Sequence, residues 1–220
     1  MLERFGTHIQ AVLIAAMALA GALAWLQLPA GALVPLHFNA GGVVDSWGHP
    51  ALGFFILPLT GLALMGLHSV LPRLDPRGDN LRRSAKAVAT IFIAVALVFA
   101  VLQAQIIAIA LGRPGLSTRL PLMLVGVLFL VMGNVMGKLR FNFTVGVRTP
   151  WTLADERVWD QTHRFAGKAF VAAGLVVLAF GLSALDPDWQ GAVIGMATAA
   201  AGLAAVLKSW LLWRRRQLGD

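Results

Sequence analysis

Residues Gly133–Lys168 read GNVMGKLRFNFTVGVRTPWTLADERVWDQTHRFAGK and form the longest polar segment of a very apolar chain. The segment holds six of the eighteen Lys and Arg residues and two of the seven Trp, in a dense setting of Asn, Thr and His. A bare connection between membrane helices has no need of Arg-Thr-Pro-Trp-Thr followed by Trp-Asp-Gln-Thr-His-Arg. The stretch is therefore read as a functional surface that the rest of the chain carries.

Working outward, the flanking sequence is that of a membrane protein. The chain is 58% hydrophobic and 13% charged, with a mean hydropathy of +0.77, far from the composition of soluble domains. Long charge-free runs fall at Phe5–Val44, Ser46–Pro72, Ala87–Gly112, Leu120–Gly137, Ala169–Leu185 and Trp189–Leu207. A spanning helix needs about 20 mostly apolar residues, so six spans are expected near 9–28, 51–71, 86–111, 120–137, 168–185 and 190–212. Lipid offers the backbone no partners, which makes these runs helices. The expected fold is all-α and polytopic, with a short extracytoplasmic hairpin and a cytoplasmic amphipathic helix. The net charge of +8 would suggest nucleic acid in a soluble protein. Here it marks cytoplasmic loops facing the lipid bilayer, and no direct nucleic-acid partner is expected. With the N-terminus inside, the inner segments carry sixteen Lys and Arg and the outer loops only Arg113 and Arg119. Both termini are thus expected in the cytoplasm and the protein in the plasma (inner) membrane. A cleaved signal peptide is the weaker reading of the Ala-rich first span, whose tail has Arg4 as its one basic residue.

Between the first two spans, Pro29–Pro50 reads as an outer loop: a strand at Val34–Phe38, a turn at Asn39–Gly42 and a return at Val43–Asp45. It presents His37, Asn39, Asp45 and Trp47 for recognition. His37, Asp45 and His49 are weak metal-ligand candidates, because their spacing matches no helix-based ligand pattern; no cofactor is expected. His68, Gln103 and Gln105 are read as helix–helix hydrogen-bonding residues. The basic connection Arg73–Lys86 is read as facing anionic headgroups. Gly133 and Gly137 are spaced for close helix contact, with Asn134 between helices in need of a partner; Gly191 and Gly195 repeat the spacing.

Within the opening stretch, Phe141, Phe143, Val145 and Val147 alternate as an extended piece would. Thr152 reads as an N-cap with Asp155 three residues on. The helix from Leu153 to Phe165 then sets Arg157, Asp160 and Arg164 in an ion ladder and pairs Trp159 with His163. It is expected to lie on the inner leaflet ahead of the fifth span.

The pattern Gly133-Asn134, Gly137-Lys138-x-Arg140-x-Asn142, Gly146-x-Arg148-Thr149-Pro150-Trp151-Thr152-Leu153, Trp159, Thr162-His163-Arg164 and Gly167-Lys168 resembles the signature of the SdpI family of membrane immunity proteins. The outer Pro35-x-His37-Phe38-Asn39-x-x-Gly42-x-x-Asp45-x-Trp47-Gly48 resembles a domain of unknown function that often accompanies it. His49-Pro50 departs from that pattern, where a basic residue is expected. The resemblance implies two units, 1–80 with spans one and two and loop 29–50, and 81–220 with spans three to six and loop 133–168. It also implies protection against a secreted membrane-active toxin peptide and signalling to a cytoplasmic transcriptional repressor. Two other classes stay open, a small-molecule or peptide transporter and a membrane-embedded metal-dependent enzyme. No Ser or Cys nucleophile elbow, phosphate loop or HExxH motif is present, so the protein is expected not to be an enzyme. Toxin identity and oligomeric state are not legible. A faint likeness between Leu36–Asn39 and Leu139–Asn142 raises an inverted repeat of spans one to three on four to six.

Overall fold

The structure, a computed structural model, describes residues 2–113, 115 and 117–218, with the backbone alone for residues 2–5. Among them the chain forms α1 (Leu2–Trp25), a hairpin of β1 (Val34–Phe38) and β2 (Val44–Gly48), α2 (Pro50–Leu74), α3 (Gly78–Arg83), α4 (Ala85–Ala110), α5 (Leu120–Met136), α6 (Pro150–Ala154), α7 (Glu156–Leu182) and α8 (Gln190–Gln217). Five of these helices are long and apolar enough to cross a membrane, and α5 is a shorter apolar helix of 17 residues. At 1.5 Å per residue α5 still reaches about 26 Å, close to the hydrocarbon thickness. Leu19, Leu59, Val176 and Leu203 stand exposed on the flanks of the bundle, an arrangement that only lipid tolerates on this scale. The protein is an all-α polytopic membrane protein.

The helices sort into two groups. α1, α2 and α4 each pack on the other two, whereas α7 lies between α5 and α8 in a row; α4 and α5 join the groups. A closed triangle and a row do not superpose helix by helix. The packing therefore disagrees with an inverted repeat, and the two loops differ as well, one a hairpin and the other irregular.

Glycine decides the α5–α7 seam. A Cβ on Gly133 would sit 2.6 Å from the Gly167 carbonyl, and one on Gly174 would sit 2.7 Å from the Gly126 carbonyl. The backbones touch where the side chains vanish, which is how helices associate when lipid supplies no hydrophobic drive. Gly133 thus does what its spacing suggested, but its partners are on α7, and Gly137 only grazes Arg164. Gly191 and Gly195 form no such seam: Gly191 faces Ala40 and Gly195 faces open space.

Buried amides hold the other group together. Gln103 Nε2 donates to the Phe54 carbonyl at 2.9 Å, and Gln10 Nε2 reaches His68 Nδ1 at 2.9 Å while His68 stacks on Phe92. At one end of the bundle Val34 is fully buried against Ala24, Phe54 and Ile106, so the hairpin is seated on the helices. Its turn reaches the second group. Gln190 Nε2 donates to the Gly41 carbonyl at 3.1 Å, and Gly42, at φ 76°, lies against the Thr118 carbonyl where no Cβ fits. Arg119 donates to the carbonyls of Phe180, Ser183 and Leu185, closing α5 onto the end of α7.

Candidate functional site

The opposite end carries most of the Lys and Arg, and here the segment 137–155 folds over the bundle. Residues 139–149 form no strand, contrary to the alternation of Phe141 to Val147. A side-chain knot replaces the ladder. Asn142 is fully buried; its Oδ1 accepts from the Val145 amide at 2.7 Å and the Thr144 amide at 2.9 Å, and its Nδ2 donates to the Arg140 and Val145 carbonyls. Every polar atom of this amide is spent on shaping its own loop.

The loop is then tied to the other helix group. Asp75, at the C-cap of α2 and only 5% exposed, accepts from the Phe143 amide at 2.8 Å and the Thr144 hydroxyl at 2.9 Å through Oδ2, and from the Arg77 amide through Oδ1. Asn80 Nδ2 donates to the Phe141 carbonyl at 2.8 Å, and Ser84 Oγ accepts from the Arg140 amide at 2.9 Å. The basic connection Arg73–Lys86 is thus more than a headgroup-facing run: it contains three polar anchors that its charge pattern concealed. Asp75 between two prolines has the look of a turn residue, so burial was its only telling feature.

Trp159 sits at the centre of this junction. It is fully buried among Leu71, Leu81, Val88, Val135, Leu139 and Phe141, and its Nε1 donates to the Leu139 carbonyl at 2.8 Å. His163 stacks on it at 3.9 Å between ring centroids. His163 Nε2 accepts from the Val147 amide at 2.9 Å and Nδ1 faces the Trp159 carbonyl at 2.9 Å, which fixes the neutral tautomer with its proton on Nδ1. Burial pushes this imidazole below its ordinary 6.5, opposed by the Trp159 carbonyl and by Asp160. The group lies ahead of the apolar run that starts at Ala169. Gly146, at φ 127°, passes so close that a Cβ would come within 2.3 Å of His163 Nε2.

Several expectations are corrected. No separate interfacial helix exists: Glu156–Leu182 is one continuous helix, and the stretch expected on the leaflet is its first three turns. Its N-cap is Asp155, which accepts from the Arg157 and Val158 amides; Thr152 is not an N-cap but the third residue of α6, in a reciprocal capping box with Thr149. Pro150 at the first helical position was the available signal for that start. Trp159 and His163 are a core pair rather than a surface pair, and Thr162 is buried beside them. Arg157, Asp160 and Arg164 form no ion pairs with one another; among the described residues Arg216 pairs with Asp155 at 2.5 Å. Asn134 is exposed rather than held between helices. Thr149 Oγ1 donates to Ser209 Oγ of α8 at 3.0 Å, so α6 is pinned to the last span. Lys138, Arg140, Arg148, Pro150 and Arg164 are exposed and Trp151 is half-buried, so these six, like Asn134 and Lys168, belong to the accessible part of the motif.

On the hairpin, His37 Nδ1 and Asp45 Oδ1 lie 2.7 Å apart with both side chains largely exposed, and Trp47 is exposed on the strand beside them. Asn39 builds the turn, its Oδ1 accepting from the Gly41 and Val43 amides. The return strand runs Val44–Gly48, later than expected. His49 caps α2, accepting from the Ala51 amide at 3.2 Å, and stands against Trp25. The weak metal trio is therefore not brought together, and among the described residues no group of three His, Cys, Asp or Glu is placed to hold a metal.

Comparison with known proteins adds to this geometry. Residues 138–209 match the model of the SdpI/YfhL protein family, and residues 12–62 match a domain of unknown function (DUF1648). Asp75, Asn80 and Ser84 lie outside both matched segments. A relative, the Immunity protein SdpI of Bacillus subtilis (strain 168), is 43% identical over 53 residues, which is 24% of this chain and 26% of the relative. The match thus spans about a quarter of the relative's length. No solved structure matches the chain. Residues 138–209, which hold the Trp159–His163 knot and its α8 contacts, are thus similar to the SdpI/YfhL protein family.

Proposed function

We propose that the protein is an immunity and sensing protein that protects its own plasma membrane against a secreted, membrane-active peptide. The hairpin lies outside, and the 137–155 loop and both termini lie in the cytoplasm. The observation that carries this reading is the hairpin itself. A two-stranded element seated on the bundle by a buried Val34 presents His37, Asp45 and Trp47 to the outside on a fixed frame. An imidazole–carboxylate pair beside an exposed indole suits a peptide that brings both charge and an apolar face to the membrane surface. The matched relative's name and the sixteen-to-two split of basic residues support it further.

The two units of the chain divide the work. Residues 1–80 carry the recognition hairpin, and residues 81–220 carry the inner motif. In that motif Asn142, Thr149, Thr162, Trp159 and His163 act as the frame, while Lys138, Arg140, Arg148, Trp151 and Arg164 form a basic and aromatic inner surface suited to a cytoplasmic repressor.

The test is expression in cells sensitive to the peptide, with His37→Ala and Trp47→Ala variants matched for membrane abundance. Survival of the wild type and loss with the hairpin variants is expected. Survival no better than in cells lacking the protein overturns the reading. Ser46→Cys should label from outside and Gln161→Cys should not; the reverse pattern overturns the orientation.

A further inference from the structure

On the basic end, one side of the α7–α8 pair holds a cavity of about 520 Å³ between the first turns of α7 and the last turns of α8, lined by Arg157, Val158, Gln161, Leu212, Arg215 and Arg216. Arg216 is paired with Asp155, but the Arg157 and Arg215 side chains have no hydrogen-bond or ion-pair partner among the described residues. Two guanidinium groups therefore face one cavity with no anionic partner among the described residues.

The same side continues into the membrane. Along α7, Arg157, Gln161, Phe165, Ala169, Ala172 and Val176 recur at three- and four-residue steps, and along α8 so do Arg215, Leu212, Lys208, Ala205, Ala201 and Ala197, so each set forms one stripe. Beyond a Lys208–Phe165 contact at 5.7 Å, the two stripes open into an apolar groove of about 470 Å³ walled by Ala169, Ala172, Ala173, Ala197, Ala200 and Ala201. Twelve residues separate Arg157 from Ala169, roughly 18 Å along the helix. A charged head cavity, an amphipathic collar and a smooth alanine trough thus lie in line along a seam that crosses from interface to hydrocarbon.

We infer that this seam is a binding site for one anionic phospholipid, with its phosphodiester on Arg157 and Arg215 and an acyl chain in the alanine groove. Charge complementarity selects an anionic headgroup, and forked guanidinium donors match phosphate oxygens. Six of the nine lining side chains stop at Cβ and Val176, Val193 and Met196 complete an apolar wall, which leaves room for a chain and offers it no polar side chain. The site depends on the protein being in a membrane and not on the immunity reading, so either can fail alone.

The experiment is native mass spectrometry of the purified full chain in detergent, titrated with dioleoyl phosphatidylglycerol, with dioleoyl phosphatidylcholine, and with glycerophosphoglycerol, which lacks acyl chains. At about 1 kcal/mol per basic residue near a surface, two arginines predict a preference for the anionic lipid of roughly thirtyfold. Arg157→Ala with Arg215→Ala should abolish the preference. Arg157→Lys with Arg215→Lys should keep most of it, and Arg73→Ala with Arg83→Ala should leave it unchanged. Ala172→Leu with Ala200→Phe, filling the groove, should weaken both lipids alike. Equal retention of the two lipids by the wild type overturns the site, as does an unaltered preference in the double alanine variant. Competition by glycerophosphoglycerol as strong as by the lipid would make the ligand a soluble phosphate and overturn the lipid assignment. Unchanged lipid retention in the groove variant would remove the acyl chain from it.

Discussion

Asp75→Ala is the sharpest test of how the two helix groups are joined. The carboxylate accepts three hydrogen bonds, from the amides of Phe143 and Arg77 and from the Thr144 hydroxyl. Bonds to a charged acceptor contribute about 1.5–3 kcal/mol each, and a buried donor left unpaired costs about 1–3 kcal/mol. Not all of this is lost. The Arg77 amide lies beside an exposed side chain and finds water, and the Thr144 hydroxyl can turn to Asn142 Oδ1, now 3.4 Å away. The Phe143 amide, in a part-buried bond, has no second acceptor among the described residues to turn to. A net loss of about 3–4 kcal/mol follows, localised to the 140–148 loop. Read by hydrogen exchange of that loop in detergent, this is a several-hundred-fold rise in exchange rate. The control is Asp79→Ala, four residues along, where the carboxylate is exposed and, among the described residues, pairs with Arg82 at 2.7 Å. That change should cost less than about 0.5 kcal/mol. Loop exchange in Asp75→Ala within threefold of that in Asp79→Ala would refute the anchor.

Three further outcomes are expected. Gly133→Leu drives a side chain into the Gly167 backbone and should abolish membrane accumulation, while Gly195→Leu, facing open space, should leave abundance unchanged by immunoblot. Gly146→Ala adds positive-φ strain, about 1–2 kcal/mol, and displaces His163 from the Val147 amide, so exchange at the loop should rise at least tenfold. For His163, burial holds the folded pKa below 6.5, so both states are neutral above that value and stability is intact there. As pH falls below about 6.5 the opened state takes up a proton that the closed state refuses, and the loop loosens until the folded pKa is reached. Protection factors of the loop, from which the intrinsic pH dependence of exchange is divided out, should therefore fall on acidification in the wild type and stay flat in His163→Gln.

What the sequence revealed was set by the physics each signal reports. Long charge-free runs marked the spans because lipid excludes charge whatever the neighbours do. Gly133 was visible because its effect is local, yet its partner Gly167 and the separate Gly126–Gly174 contact required knowing which helices meet. The Trp159–His163 pair was misplaced to the surface for a definite reason. Charged residues at Glu156, Arg157, Asp160 and Arg164 gave the segment an amphipathic look, and the burying surface comes from residues 71–92 and 135–141, distant in sequence. Asp75 was missed because nothing periodic in this basic run sets it apart from Asp79, its exposed neighbour. Thr149 and Thr152 share the same motif spacing, so the cap was displaced by one turn.

α8 has a mechanical consequence. Its first residue holds the hairpin turn through Gln190, and Ser209 holds Thr149 of the opposite loop, 19 residues away. At 1.5 Å per residue the two attachment points are about 29 Å apart on a single unbroken rod. A tilt of about 5° pivoting at either point carries the other through about 2.5 Å, nearly the length of a hydrogen bond. The two faces of the protein therefore share one moving part: neither contact can be displaced by much along this rod without loading the other.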